Sequence, residues 1–142
     1  MILPSCAQTG RERVATVERC WPSILIVDDD EHFRTLARHL LSPVFNVQEA
    51  PSAGDCIKLV RSQAFDAIIL DMVMPERDGF EAIRDIKRVR PETKIVAVSG
   101  AGQASALYLQ LAERLGAHAT LLKTSVETLR GLLEVVVQYD DR

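Results

Sequence analysis

Five side chains that can handle phosphate fall where short apolar runs stop: Asp28 and Asp29 after Ile24-Leu25-Ile26-Val27, Asp71 after Ile68-Ile69-Leu70, Ser99 after Ile95-Val96-Ala97-Val98, and Lys123 after Leu121-Leu122. Three carboxylates brought together repel one another unless a cation joins them. Ligands that are all oxygen favour a hard ion such as Mg2+, which keeps waters and bridges readily to phosphate. Lysine adds a mobile point charge suited to a phosphoryl group, and serine adds a hydroxyl hydrogen bond. The set has no His or Cys partner for acyl transfer. No glycine-rich loop follows the first run to cradle a nucleotide. An acidic pocket with a lysine and a hydroxyl suits the acceptance of phosphate on a carboxylate.

That chemistry requires the five groups to meet, so the elements between them matter. The continuous apolar runs suit strands buried on both faces of a parallel sheet. Phe33, Leu36, Ala37, Leu40 and Leu41 form a helical stripe that Ser42-Pro43 ends. A short strand follows over Phe45 to Glu49, with Val47 inward. Ser52 caps a second helix with Ala53, Ile57 and Val60 inside. Pro75 holds Met74 extended, and Asp78 with Glu81 reads as a capping box for a third helix carrying Phe80, Ile83, Ile86 and Val89. In the fourth helix Leu107, Leu111 and Leu115 mark the inner side and Gly116 the C-cap. Tyr108 and Leu109 lie off that line, as an exposed pair. Ala119 to Leu122 is a fifth strand, and Val126, Leu129, Leu133 and Val136 mark a closing helix. Strands and helices in alternation call for a parallel sheet with helices on both faces. Its strands' carboxyl ends then share one edge, where the five groups converge.

From about Ser23 to Gln138 the chain resembles a bacterial response-regulator receiver domain of the single-domain, chemotaxis-regulator type. The resemblance rests on Ile24 to Asp30, on Leu70-Asp71-Met72-Val73-Met74-Pro75 with Asp78-Gly79, on Val98-Ser99-Gly100, and on Leu121-Leu122-Lys123. It implies an α/β, doubly wound, five-stranded parallel sheet in the order 2-1-3-4-5, the flavodoxin-like receiver fold. Asp71 would accept phosphate from a phosphohistidine on a sensor histidine kinase or phosphotransfer protein. Asp28, Asp29, Asp71 and the backbone carbonyl of Val73 would hold Mg2+. Ser99 and Lys123 would contact the phosphoryl oxygens and report to the fourth helix and fifth strand. Two positions depart from the family. Thr124 follows the lysine where a cis proline is usual, so the link is either a strained cis bond or a rearranged trans one. Thr120 stands where an aromatic usually switches, so read-out is expected to pass through backbone and helix-four shifts.

Length and composition set the outer bounds. At 142 residues, with 47% apolar and 26% charged residues, one soluble domain is expected. Residues 1–22 read as an arm, frayed or a short helix on Val14, Val17 and Trp21, and 23–142 as the domain. The three cysteines lack metal-ligand spacing and suit reduced thiols in a cytoplasm, Cys56 filling a core position. A net charge of −3 argues against nucleic acid. No apolar run approaches the ~18 residues of a membrane span, and no secretory signal is seen. His32, His39 and His118 have no convergent acid, and Asp30 and Glu31 simply favour a helix N-terminus. Few residues follow Gln138, so output is expected through protein contact, from a monomer or weak homodimer. The domain would assist its own phosphorylation without being a conventional enzyme. Two other readings compete: a binding module that signals without phosphate, motivated by Thr120 and Thr124, and an aspartyl-phosphate hydrolase, which would need an acid where Val73 stands.

Overall fold

Runs with no polar alternation go to the middle of a sheet, because both of their faces must be covered. Ile24, Leu25, Ile26, Val27, Ile68, Ile69 and Leu70 are all completely buried. The computed structural model describes residues 21–74, 79–100 and 104–138. Its elements alternate as β1 (Ser23–Val27), α1 (Glu31–Leu41), β2 (Asn46–Ala50), α2 (Ala53–Ser62), β3 (Ala67–Asp71), α3 (Gly79–Val89), β4 (Lys94–Ser99), α4 (Ser105–Leu115), β5 (Ala119–Leu122), a 3-10 segment (Lys123–Thr128) and α5 (Leu129–Gln138). The five strands are parallel in the order β2-β1-β3-β4-β5. This is the doubly wound α/β sheet that the alternation calls for.

Successive strand residues point to opposite faces, so the sheet carries two cores. Leu25, Val27, Ile68, Leu70, Ile95 and Ala97 meet α2, α3 and α4 on one face. Ile24, Ile26, Ala67, Ile69, Val96 and Val98 meet α1 and α5 on the other. Burying each such side chain stabilises the fold by about 1.5–3 kcal/mol before chain entropy is subtracted. Local chemistry agrees at the helix ends. Asp30 accepts from the His32 N–H and Ser52 Oγ from the Asp55 N–H. Gly116 ends α4 in the left-handed region at φ 116°.

The seating of α4 corrects one expectation. Leu107 and Leu111 are 54% and 39% exposed, whereas Leu109 is 9% exposed and Ala112 is buried. Tyr108 packs edge-on against Phe80, with ring centroids 5.7 Å apart. The leucine line and the line Ser105–Leu109–Ala112 have the same helical period, so periodicity alone could not choose between them. Ser105 and Ala112 are small and let α4 approach β4 and β5 closely, which puts the Leu107–Leu111 side outward. In α1, Leu36 is likewise exposed while Phe33, Ala37 and Leu41 are buried.

Two further differences lie at the chain's turns. No peptide bond among the described residues is cis, so the Lys123–Thr124 link is trans and opens the 3-10 segment instead of leading straight into the closing helix. The expected arm (apart from Trp21 and Pro22), Pro75, the Asp78 half of the capping box and Gly102 lie outside the described residues. Of that arm's final residues, Trp21 offers its carbonyl to Asn46 Nδ2 at 3.2 Å.

Candidate functional site

Strand register brings the sequence-predicted groups to one edge. Val27 pairs with Leu70, so Asp28 and Asp71 are the next step along two hydrogen-bonded neighbours. Asp71 pairs with Val98, and Ser99 with Leu122, so Ser99 and then Lys123 each lie a step further along. Asp28 is completely buried and Asp71 is 3% exposed, whereas Asp29 is exposed. One carboxylate oxygen from each of the three acids lies within 4.8 Å of the others.

Each member is held by its own contacts. Asp28 Oδ1 accepts from the Asp30 N–H at 2.9 Å, which turns the chain into α1. Asp28 Oδ2 lies 2.6 Å from Lys123 Nζ. That contact is an ion pair without hydrogen-bond alignment, and among the described residues the oxygen has no other donor. Asp71 Oδ1 accepts from the Val73 N–H at 3.2 Å, and Asp71 Oδ2 lies 3.6 Å from Lys123 Nζ. Met72 is pinned on both sides: its N–H donates to the Val98 carbonyl at 2.9 Å and its carbonyl accepts from the Gly79 N–H at 3.2 Å.

The electrostatics follow from crowding. Burial, then the Asp28 charge, pushes the Asp71 carboxyl up to about 7, against the pull of Lys123 and the Val73 N–H. Burial works against the Lys123 charge, but the close Asp28 carboxylate and then Asp71 outweigh it and hold the ammonium above its usual range. This is the signature of an acid cluster in need of positive charge. A hard divalent ion fits: the donors are all oxygen, and Asp28 Oδ2 is a buried oxygen without an aligned hydrogen-bond donor among the described residues.

Three contributors escaped sequence reasoning. Phe33 counted only as core, yet its ring lies 4.7 Å from Lys123 Nζ and steadies the ammonium. Arg34 Nη1 donates to the Asp28 carbonyl at 2.8 Å while its Nε donates to Glu49 at 3.0 Å. An arginine on the first turn of a helix that follows an acidic strand end was the signal available for it. Ser105, buried at the start of α4, accepts from Ser99 Oγ at 3.3 Å. The histidines are not drawn in: the His32 side chain is 98% exposed, and His118 Nδ1 accepts from the Ile95 N–H. Cys56 fills the core, where burial pushes its thiol up to about 12.

Comparison with known proteins points the same way. The family described as response regulator receiver domain matches residues 24–134. The probable C4-dicarboxylate response regulator DctR of Bacillus subtilis is 28% identical over 123 residues, which are 84% of this chain and 54% of that protein. This chain therefore spans about half the length of that relative. The chemotaxis protein CheY of Halobacterium salinarum is 33% identical over 81 residues, 56% of this chain and 68% of that protein. Among solved structures, a CheY-like receiver domain protein from Methanospirillum hungatei shares the fold with a TM-score of 0.76. It is 22% identical, and the match covers 85% of this chain and 97% of that one.

Proposed function

The chain belongs to the response-regulator receiver family of two-component signal transduction, and on that premise we propose that Asp71 accepts a phosphoryl group from a phosphohistidine. One observation carries the assignment. Asp71 ends the central strand β3 within 4.8 Å of the Asp28 and Asp29 carboxylates and 3.6 Å from the Lys123 ammonium, whereas Asp28, likewise buried, is already engaged by that ammonium at 2.6 Å. In the transfer, an Asp71 carboxylate oxygen forms a bond to phosphorus as the bond from phosphorus to the donor imidazole nitrogen breaks, leaving its electron pair on the imidazole. Asp28, Asp29, Asp71 and the Val73 carbonyl would hold Mg2+. When bound, Mg2+ supplies positive charge to the phosphoryl oxygens and favours the ionised form of Asp71.

The chain's own residues do the rest by placement rather than by proton transfer. Lys123, steadied by Phe33, meets the phosphoryl charge. Ser99 donates a hydroxyl hydrogen bond to a phosphoryl oxygen. The Val73 N–H, bonded to Asp71 Oδ1, keeps the carboxylate oriented. The donor is a sensor histidine kinase or a histidine phosphotransfer protein, and output goes to a downstream protein by contact, in the cytoplasm. In this reading the domain promotes its own phosphorylation and dephosphorylation and is not a conventional enzyme. No described helix is long and apolar enough to cross a membrane. Incubation with acetyl phosphate and Mg2+ is expected to add one phosphoryl group, by intact mass, that Asp71→Asn abolishes. A chain that takes up none, or an Asp71→Asn chain that still does, overturns the assignment.

A second reading is favoured by Thr120 and Thr124. Threonine at 120 has no ring to swing between a buried and an exposed position, so a binding module that keeps the pocket and signals without phosphate fits the same fold. Partner binding that is indifferent to Asp71→Asn under phosphorylating conditions is the result that would select it.

A further inference from the structure

Ser99 lies at the end of β4 with its side chain buried, and its hydroxyl has a partner already. Ser99 Oγ donates to Ser105 Oγ at 3.3 Å, and Ser105 Oγ donates in turn to the Gly100 carbonyl. Each hydroxyl has a single proton, so the chain is directional: Ser99 to Ser105 to the backbone beyond Ser99. Ser105 is the first residue of α4, and the N-cap residue Ala104 offers no side-chain bond of its own. The start of α4 is therefore tied to the active edge of the sheet through two buried serines.

We propose that Ser105 is a positioning residue that competes with the phosphoryl group for the Ser99 proton, so that phosphorylation loosens the start of α4. The inference rests on the reading that Ser99 contacts the phosphoryl oxygens. The first link is long for a hydroxyl pair, whose usual separation is about 2.7–2.8 Å, and is correspondingly weak. A charged phosphoryl oxygen makes a shorter bond of about twice the strength, so it wins the proton. Ser105 then loses its incoming donor, and α4 loses one of the bonds that hold its first turn. This supplies what the ringless Thr120 cannot: a part with two arrangements, set directly by the phosphoryl group. By linkage the coupling is reciprocal, so whatever removes the Ser99–Ser105 bond must also ease phosphoryl binding.

Reciprocity fixes the sign of the test. The full chain and its Ser105→Ala variant are titrated with beryllofluoride in Mg2+, with deuterium exchange followed across residues 104–115. Ser105→Ala is expected to bind beryllofluoride about two- to tenfold tighter, the worth of one neutral hydrogen bond. Amides 105–109 should exchange fast before beryllofluoride is added, with no further rise after it. Ser105→Thr, which restores a hydroxyl, is expected to return both quantities toward those of the parent. A merely structural serine predicts no tightening, and equal or weaker binding in Ser105→Ala overturns the proposal. Should Ser105→Ala fail to fold, the parent chain decides: beryllofluoride must raise exchange at 105–109, and no rise overturns it. A parent chain that binds no beryllofluoride sinks this inference together with the phosphoacceptor assignment. Binding in the parent with the wrong sign in the variant sinks the inference alone.

Discussion

Lys123 Nζ is closer to Asp28 than to Asp71, at 2.6 Å against 3.6 Å. The ammonium thus spends its charge mainly on an acid that does not accept phosphate in our reading, and Asp71 keeps a carboxyl that burial and Asp28 hold partly protonated near neutrality. In our reading, phosphorylation of Asp71 would draw part of that charge from Asp28 to the phosphoryl oxygens.

Removing the cation should therefore hurt the fold before it touches function. Lys123→Gln leaves two buried acids without their partner, and breaking such a pair costs about 3–5 kcal/mol when fully buried. With the lysine side chain 21% exposed, we expect roughly 2–3 kcal/mol at pH 8. Urea unfolding measures it, and millimolar Mg2+ should restore part of the loss. A variant as stable as the parent without Mg2+ would contradict the pairing.

Acidity gives a second prediction. The Asp71 carboxyl lies at about 7 in the folded chain against 3.8 for the ordinary group. Between those two values the folded state binds more protons than the unfolded one, so stability falls as pH rises from about 4 to about 7 and stays low above it. The displacement bounds the penalty at roughly 4 kcal/mol, shared with Asp28. Asp71→Asn should be the more stable chain at pH 8, by about 2–3 kcal/mol, and indistinguishable at pH 3.5. Mg2+ should stabilise the parent increasingly from pH 5 to 8. Thermal midpoints across that range provide the check, and a parent whose stability rises toward pH 8 without Mg2+ would refute the sign.

Glycine at position 79 is demanded by space. A Cβ there would lie 2.6 Å from Met72 Cα and 2.7 Å from its Sδ. Met72 directly follows Asp71, so Gly79→Ala must displace the strand end that carries the proposed acceptor. We expect a loss of about 1–3 kcal/mol and a fall in phosphorylation rate larger than the folded fraction explains. Met72→Ala should not rescue it, because the backbone contact remains. Rates per folded molecule, from acetyl phosphate time courses with unfolding curves alongside, separate the two effects.

Arg34 is expected to tune the acidic pocket without touching phosphate. Arg34→Ala removes the bond to the Asp28 carbonyl and one of two arginines on Glu49. Arg38, which does most to hold the Glu49 carboxyl below its usual range, remains. We expect weaker Mg2+ binding by about three- to tenfold, the cost of a charge-assisted hydrogen bond that positions a ligand. Arg34→Lys keeps the charge but not the fork, so it should fall between. Calorimetric titration with Mg2+ checks the order; a lysine variant equal to the alanine one would show that charge contributes nothing.

Much of this was legible in the residues. The runs ending at Asp28, Asp71, Ser99 and Lys123 place their last side chains on one edge because parallel strands must, and register then does the alignment. What could not be read has a common cause: it depends on which neighbour arrives across the fold. The outward turn of Leu107 and Leu111 follows from the small residues opposite the sheet, not from their period. The second task of Phe33, the reach of Arg34 to the Asp28 carbonyl and the pairing of Ser99 with Ser105 all join groups whose sequence separation is set by loops. The trans link at Lys123 was one of two open choices, and only the path of the following turn decides it.

The two edges of the sheet are guarded differently from its surface. On edge strand β2, Glu49 is clamped by Arg34 and Arg38, and Arg38 Nη2 also donates to the Val47 carbonyl at 3.3 Å. On the other edge, β5 is four residues long. A charged, partly capped edge and a very short one give an incoming strand little to pair with. Misassembly by strand addition is thereby discouraged at both ends of the sheet.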